Sequence, residues 1–210
     1  SVTSKSLVGV TYGNGLFVSV GLSGTILTSP DGTTWTERTS GISKSLREVT
    51  YGNGLFVTVG LSGTILTSLD GTSWTERTSG ISKLLNEVTY GNSIFVTVGQ
   101  SGTVLTSSDG TTWTSRTSGT TEDLYGGVTY GNSIFVTVDY RGTILTSSDG
   151  TTWTVRITGT WWNLNEVTYG NGLFVTVGNS GIIYTSPDGN SWTTRTTGTS
   201  NHLVGVTYSQ

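Results

Sequence analysis

Three features of this sequence predict an all-β fold, a five-bladed β-propeller of four-stranded antiparallel blades. The tripeptide Val-Thr-Tyr recurs six times, starting at Val10, Val49, Val88, Val128, Val167 and Val206, in steps of 39, 39, 40, 39 and 39 residues. A constant period of that size marks one supersecondary unit stacked repeatedly, each copy burying its neighbour's apolar face. Gly-Asn and Asp-Gly reversals separate short β-rich runs within every unit, and no stretch has helical spacing. One tryptophan per complete unit, at Trp35, Trp74, Trp113, Trp153 and Trp192, sets the blade count at five. A β-solenoid also repeats, but it lacks recurring antiparallel hairpins.

Residues 46–80 illustrate the unit. Leu46–Tyr51 is a β-rich run, and Gly52-Asn53-Gly54 supplies a tight reversal that tolerates positive φ. Leu55-Phe56-Val57-Thr58-Val59 resumes as a nearly continuous apolar strand, as expected where both faces are covered. Gly60-Leu61-Ser62-Gly63 leads into Thr64–Ser68. Asp70-Gly71 then turns the chain into Thr72–Thr78, whose single large ring among polar groups suits an outer edge strand. Strand order from the centre outward therefore follows the sequence. Residues 1–210 are expected to form one domain, with repeats beginning near Leu7, Leu46, Leu85, Leu124 and Leu164.

Composition narrows the partners. The 33% apolar share rises to about 48% once the 31 glycines are counted, an ordinary globular value. Only 11% of residues are charged and the net charge is −3, so no basic field exists for nucleic acid or anionic lipid. Zero cysteines exclude disulfides, thiolate metal sites and a thiol nucleophile. No apolar run approaches the roughly 18 residues of a membrane helix, and no signal peptide is visible. The sequence opens at Ser1 and contains no methionine, as expected of a processed or recombinantly expressed product. A Ser/Thr/Gly-rich, lysine-poor surface is in keeping with an extracellular or cell-surface location. No cofactor or metal is expected.

Each unit carries Ser-x-Asp-Gly-x-x-Trp, from Ser29, Ser68, Ser107, Ser147 and Ser186 to the tryptophan six residues on. Asp and Ser in such a turn accept backbone N–H groups, and Gly takes the unusual φ. Asp31, Asp70, Asp109, Asp149 and Asp188 are therefore read as structural turn caps rather than catalytic acids, since one reaction does not need five copies of its acid. The indoles should wedge between blades. Each ring buries on the order of 150–250 Å², or roughly 4–6 kcal/mol gross at about 25 cal/mol per Å². The motif resembles the Asp-box of sialidase-type propellers, with a tighter hairpin because Asp31 and Trp35 are only four apart. The wider pattern, Leu46-x-x-Val49 and Val59-Gly60-x-x-Gly63-Thr64-Ile65-Leu66, resembles blades of the photosystem-assembly-factor group of propellers. That resemblance spans essentially the whole chain and implies a propeller.

Function should lie where the copies disagree. The first and third connections of the blades are nearly uniform. The second connections and the blade-to-blade links vary, and both fall on one face. The candidate ligand-binding residues there are Trp161, Trp162, Tyr125, Tyr140, Arg141 and His202. Adjacent tryptophans stack on a sugar ring, anchor a protein partner, or fill the gap between blades. Glu48, Glu87 and Glu166 begin inner strands and either hold a cation or stay solvated. Arg38, Arg77, Arg116, Arg156 and Arg195 sit one per blade and cannot converge on a substrate carboxylate, as a sialidase requires. The chain is thus expected to be a non-enzymatic binding module for a glycan or protein. The alternatives are an engineered or newly amplified scaffold without a ligand and a sialidase-type hydrolase.

Leu7–Tyr12 and Leu203–Tyr208 are identical. Five sets of outer strands thus accompany six copies of the first strand. The two ends are expected to compete for the first blade, the loser packing elsewhere or exchanging into another molecule.

Overall fold

The computed structural model describes residues 2–157 and 161–208. It contains five four-stranded antiparallel sheets and no α-helix among the described residues. The first sheet is β1 (Leu7–Gly13), β2 (Leu16–Gly21), β3 (Ile26–Ser29) and β4 (Thr36–Arg38), and the second is β5 (Leu46–Gly52), β6 (Leu55–Gly60), β7 (Ile65–Ser68) and β8 (Thr75–Arg77). The third comprises β9 (Leu85–Gly91), β10 (Ile94–Gly99), β11 (Thr103–Ser107) and β12 (Thr114–Thr117). β13 (Val128–Gly131), β14 (Ile134–Val138), β15 (Thr143–Ser147) and β16 (Thr154–Ile157) make the fourth. The fifth holds β17 (Leu164–Gly170), β18 (Leu173–Gly178), β19 (Ile183–Ser186) and β20 (Thr193–Arg195). Every sheet is a meander in sequence order. The chain divides into two compact units, Ser1–Thr97 with Leu105–Thr114, and Val98–Val104 with Ser115–Gln210.

Register explains the first reversal. Tyr51 faces Phe56 and Gly52 faces Leu55, which leaves Asn53 and Gly54 at the corner with φ of 49° and 74°. Two consecutive positive φ values match the right-handed twist of the strands they join. The second strands are the most buried. Phe56, Val57 and Val59 are fully covered, and so are Phe95, Val96 and Val98.

Apolar clusters join neighbouring sheets within each unit. In one, Val18, Val20 and Ile26 of the first sheet meet Leu46, Val49 and Phe56 of the second, with Trp74 packed against them. The second and third sheets repeat this around Trp113, and the fourth and fifth around Trp192. Within each unit, a first-strand tyrosine covers a glycine of the preceding first strand. Any side chain at Gly13 would overlap the Tyr51 ring, and Gly52 under Tyr90 and Gly131 under Tyr169 are the same. Trp74, Trp113 and Trp192 thus pack against the clusters that join neighbouring sheets.

One expectation needs correction. The outer strand of the second sheet is Thr75–Arg77 rather than Thr72–Thr78. Asp70 Oδ1 takes the N–H groups of Thr72 and Ser73 at 2.8 and 2.9 Å, so those residues belong to the turn. The fourth sheet differs from the others at its start, where the first strand begins at Val128. Leu124 and Val128 are four residues apart where Leu85 and Val88 are three, and the extra residue breaks the ladder. Leu124 itself stays fully buried, its N–H bonded to Gly99 O at 3.1 Å.

The two identical segments occupy different places. The N-terminal copy, β1, pairs with β2 along its length. The C-terminal copy packs on the fifth sheet with Tyr208 over Gly170, and residues 203–208 form no ladder.

Candidate functional site

The turn capped by Ser-x-Asp-Gly is the same in every sheet. Asp31 Oδ1 accepts the Ser29 hydroxyl at 3.0 Å and the N–H groups of Thr33 and Thr34 at 2.8 and 2.7 Å. The indole N–H of Trp35 donates to Gly32 O at 3.1 Å. The backbone N–H of Thr34 is the main cause holding the Asp31 carboxyl well below the usual range, and Asp70, Asp109 and Asp188 are lowered in the same way. At Asp149 the Thr151 hydroxyl is the largest cause. These carboxylates are committed to their turns as anions. The arginines are tied locally too. Nε of Arg38, Arg77 and Arg195 donates to Thr28, Thr67 and Thr185 at 2.8 Å, and Arg156 reaches Thr146 at 3.3 Å.

The second turn is where the sheets part company. After Gly21, Gly60, Gly99 and Gly178 the chain makes a single 3₁₀ turn whose central Ser takes a φ of 54–57°. Three of those glycines are obligatory: a side chain at Gly21, Gly60 or Gly178 would overlap the carbonyl of Ser6, Ser45 or Asn163. That carbonyl accepts the next N–H, as in Leu61 to Ser45 at 3.0 Å.

The fourth sheet has Asp139 in this place. The residue added before Val128 reroutes the preceding link, so Gly126 N–H now donates to Val138 O at 3.2 Å. The freed space accepts a side chain. Asp139 is fully buried, and its Oδ1 takes the N–H groups of Arg141 and Thr143, both at 2.8 Å. Its Oδ2 has no hydrogen-bond partner. Few buried carboxylate oxygens go unpaired, so this position is chemically distinct from its four counterparts.

Three segments meet around Asp139. Its carbonyl accepts Leu164 N–H at 3.2 Å, and Gly126 lies so close to Leu164 O that no side chain fits there. The Tyr125 and Tyr140 rings stand edge to face, with centroids 5.1 Å apart and planes at 85°. Arg141 Nε contacts Glu122 Oε2 at 3.1 Å, an exposed pair of small energetic worth. Trp161 and Trp162 lie on the link that ends at Leu164, exposed by 87% and 53%. Ring burial between sheets therefore does not account for Trp161.

Tyr125, Tyr140 and Arg141 are thus brought together, and the tryptophan pair is fixed to the same segment junction. His202 is not part of it. Its Nδ1 accepts Ser180 N–H at 3.4 Å in the fifth sheet, the clasp that Ser45 Oγ and Asp123 Oδ1 provide for Ser23 and Ser101. Glu166 Oε1 folds back onto Val167 N–H at 3.0 Å beside Gly127, and burial pushes its carboxyl up to about 7. No group of three or more metal-ligating side chains occurs among the described residues. Sequence reasoning passed over Asp139. The signal was present as the one acidic residue in a column of glycines at 21, 60, 99 and 178.

No protein-family model matches the sequence, and no curated protein matches it either. Solved structures do. YCF48 bound to D1 peptide is similar at 18% identity and a TM-score of 0.69, over 90% of this chain and 66% of that one. Virginiamycin B lyase from Staphylococcus aureus aligns at 12% identity and a TM-score of 0.81, over 92% of this chain and 70% of that one. The fold is a β-propeller. The computationally designed protein Ika8 shares the propeller likeness at 13% identity and a TM-score of 0.77, over 98% of this chain and 66% of its own. The chain spans about two thirds of the length of YCF48 and of Ika8. At these identities the likeness establishes fold and leaves function to the residues.

Proposed function

We propose that this propeller is a non-catalytic binding module that takes a protein or peptide segment at the fourth-sheet loop cluster. The observation carrying this reading is the exposure of Trp161 and Trp162 on the link whose Leu164 bonds to Asp139, the junction that also carries the Tyr125–Tyr140 pair. Large aromatic anchors on rigidly held loops are the usual centres of protein interfaces. The peptide in the YCF48 structure supports a propeller of this kind serving such a role. The Ser-x-Asp-Gly-x-x-Trp turn is a shortened Asp-box with a purely structural role, because its carboxylates are held ionised and cannot donate a proton at neutral pH.

A second reading, an amplified or engineered scaffold without any ligand, draws on the near identity of the units and on the likeness to Ika8. Peptide display on the wild-type chain, counter-selected on the Trp161→Ala/Trp162→Ala variant, separates the two. Enriched peptides whose affinity falls about tenfold or more on the variant support the module. Enrichment of none favours the bare scaffold, and signal on a glycan array that the variant loses would make the ligand a sugar. Turnover of chromogenic glycosides would overturn the non-catalytic assignment.

A further inference from the structure

The chain carries both halves of one more sheet-to-sheet joint, one half at each end. In an interior joint, the glycine of the capped turn rests on the second strand of the preceding sheet. A side chain at Gly71 would run into Leu16 and Val18, one at Gly110 into Leu55 and Val57, and one at Gly189 into Ile134 and Val136. The tyrosine of the first strand covers the preceding sheet's glycine. These contacts leave Val49, Val88 and Val167 only 3% exposed.

At the start of the chain the same surface is bare. Val10 is 61% and Tyr12 58% exposed, Gly32 is exposed, and Phe17 is half-buried where Phe56, Phe95, Phe135 and Phe174 are fully covered. At the other end, Val175 is half-buried where Val18, Val57, Val96 and Val136 are fully buried. Among the described residues a single segment, 203–208, occupies the seat beside it. Residues 203–208 dock there as a first strand would, with Tyr208 over Gly170 and Leu203 N–H on Gly178 O at 3.1 Å. Leu164 N–H on Asp139 O is the equivalent bond one sheet earlier. Among the described residues no second strand pairs with the segment, and Val204 is 77% exposed.

We propose that the first sheet of a second copy of this chain seats on the fifth sheet of the first copy, displacing residues 203–208. Leu7–Tyr12 of β1 has the same sequence as the segment it replaces and arrives already paired with β2. It sets Tyr12 over Gly170 and brings the Gly32 turn onto Leu173 and Val175. Contacts that the lone segment cannot make are thereby completed. The interface is heterologous, so each copy keeps one end of each kind and further copies add in the same sense.

Sedimentation velocity of the full chain from low to high micromolar concentration tests this. The expected result is concentration-dependent association, weakened about tenfold or more by Tyr12→Lys or by Val175→Lys, with thermal melts confirming that both variants fold. Leu173→Lys serves as a second lesion of the same end. Mixing the Tyr12→Lys and Val175→Lys proteins restores association through their remaining intact ends and stops at a one-to-one dimer. Deleting residues 203–210 strengthens association by emptying the seat. A wild-type chain that stays monomeric throughout, a mixture that fails to pair, or a deletion that abolishes association overturns the proposal.

Discussion

The second turns of the second and fourth sheets begin from nearly the same strand, Phe-Val-Thr-Val, and end in different structures. After Val59 the chain must have Gly60, because the Ser45 carbonyl occupies the space a side chain would need. After Val138 it has Asp139, fully buried, with one carboxylate oxygen organising the turn and the other unpaired. A single added residue before Val128 separates the two outcomes. In a repeat protein, then, local novelty comes from shifting a neighbouring segment by one residue as readily as from changing the residues of the site.

The comparison is broken most severely from the core of the second sheet. Phe56→Ala should cost about 3–5 kcal/mol in denaturant unfolding, since it empties a fully buried position shared by two sheets. Gly60→Ala should cost about 1–3 kcal/mol by forcing the Ser45 carbonyl aside, whereas Asp139→Ala keeps a Cβ the fourth sheet already accommodates. Asp139→Ala instead loses the two hydrogen bonds of Oδ1, and a cost at Gly60 below about 1 kcal/mol would refute the steric account.

Glu166 probes the same junction electrostatically, because it lies against Gly127 on the rerouted link. Burial raises its carboxyl from 4.5 to about 7, so the folded state holds this proton more tightly than the unfolded state. Its contribution is present in full below about 4.5 and is lost as pH climbs to about 7. Glu166→Gln should remove that slope and leave the variant more stable than wild type at pH 8, on the order of 1–2 kcal/mol. The turn aspartates act in the opposite sense, their contribution fading as pH falls below their ordinary value of 3.8. Unfolding measured across pH 3–8 for both proteins checks the sign.

Smaller effects sharpen the contrast. Ser133 holds a φ of 63° at the corner where the second sheet has Gly54 at 74°. Ser133→Gly should therefore stabilise by about 0.5–1 kcal/mol, visible as a modest rise in Tm. Trp161→Ala should change stability by less than about 0.5 kcal/mol, as expected for a ring that is 87% exposed. A larger loss would mean that the indole belongs to the fold rather than to a partner.

Much of the fold is legible in the chain itself. The period locates every sheet, Asn-Gly marks the first reversals, and Ser-x-Asp-Gly-x-x-Trp marks the third, because these depend on contacts within a few residues. The outer strands are shorter than their composition suggests, since Asp70 competes with the ladder for the Thr72 and Ser73 amides and strand propensity does not register such competition. The candidate cluster is half legible. Tyr125, Tyr140 and the tryptophans stand out as departures from the repeat. Asp139 does not, because its meaning depends on a backbone shift thirteen residues earlier in the chain. His202 looks special for being the one histidine, yet its Nδ1 does what a serine hydroxyl does at position 45.

Tyrosine lying on glycine, repeated from Gly13 to Gly170, bears on how such a gene changes. These seams are built from the same two residues, so recombination between Val-Thr-Tyr codon runs within a unit would insert or excise a repeat while reproducing the same contact. One residue more before Val128 is, by contrast, enough to give a single unit its own turn.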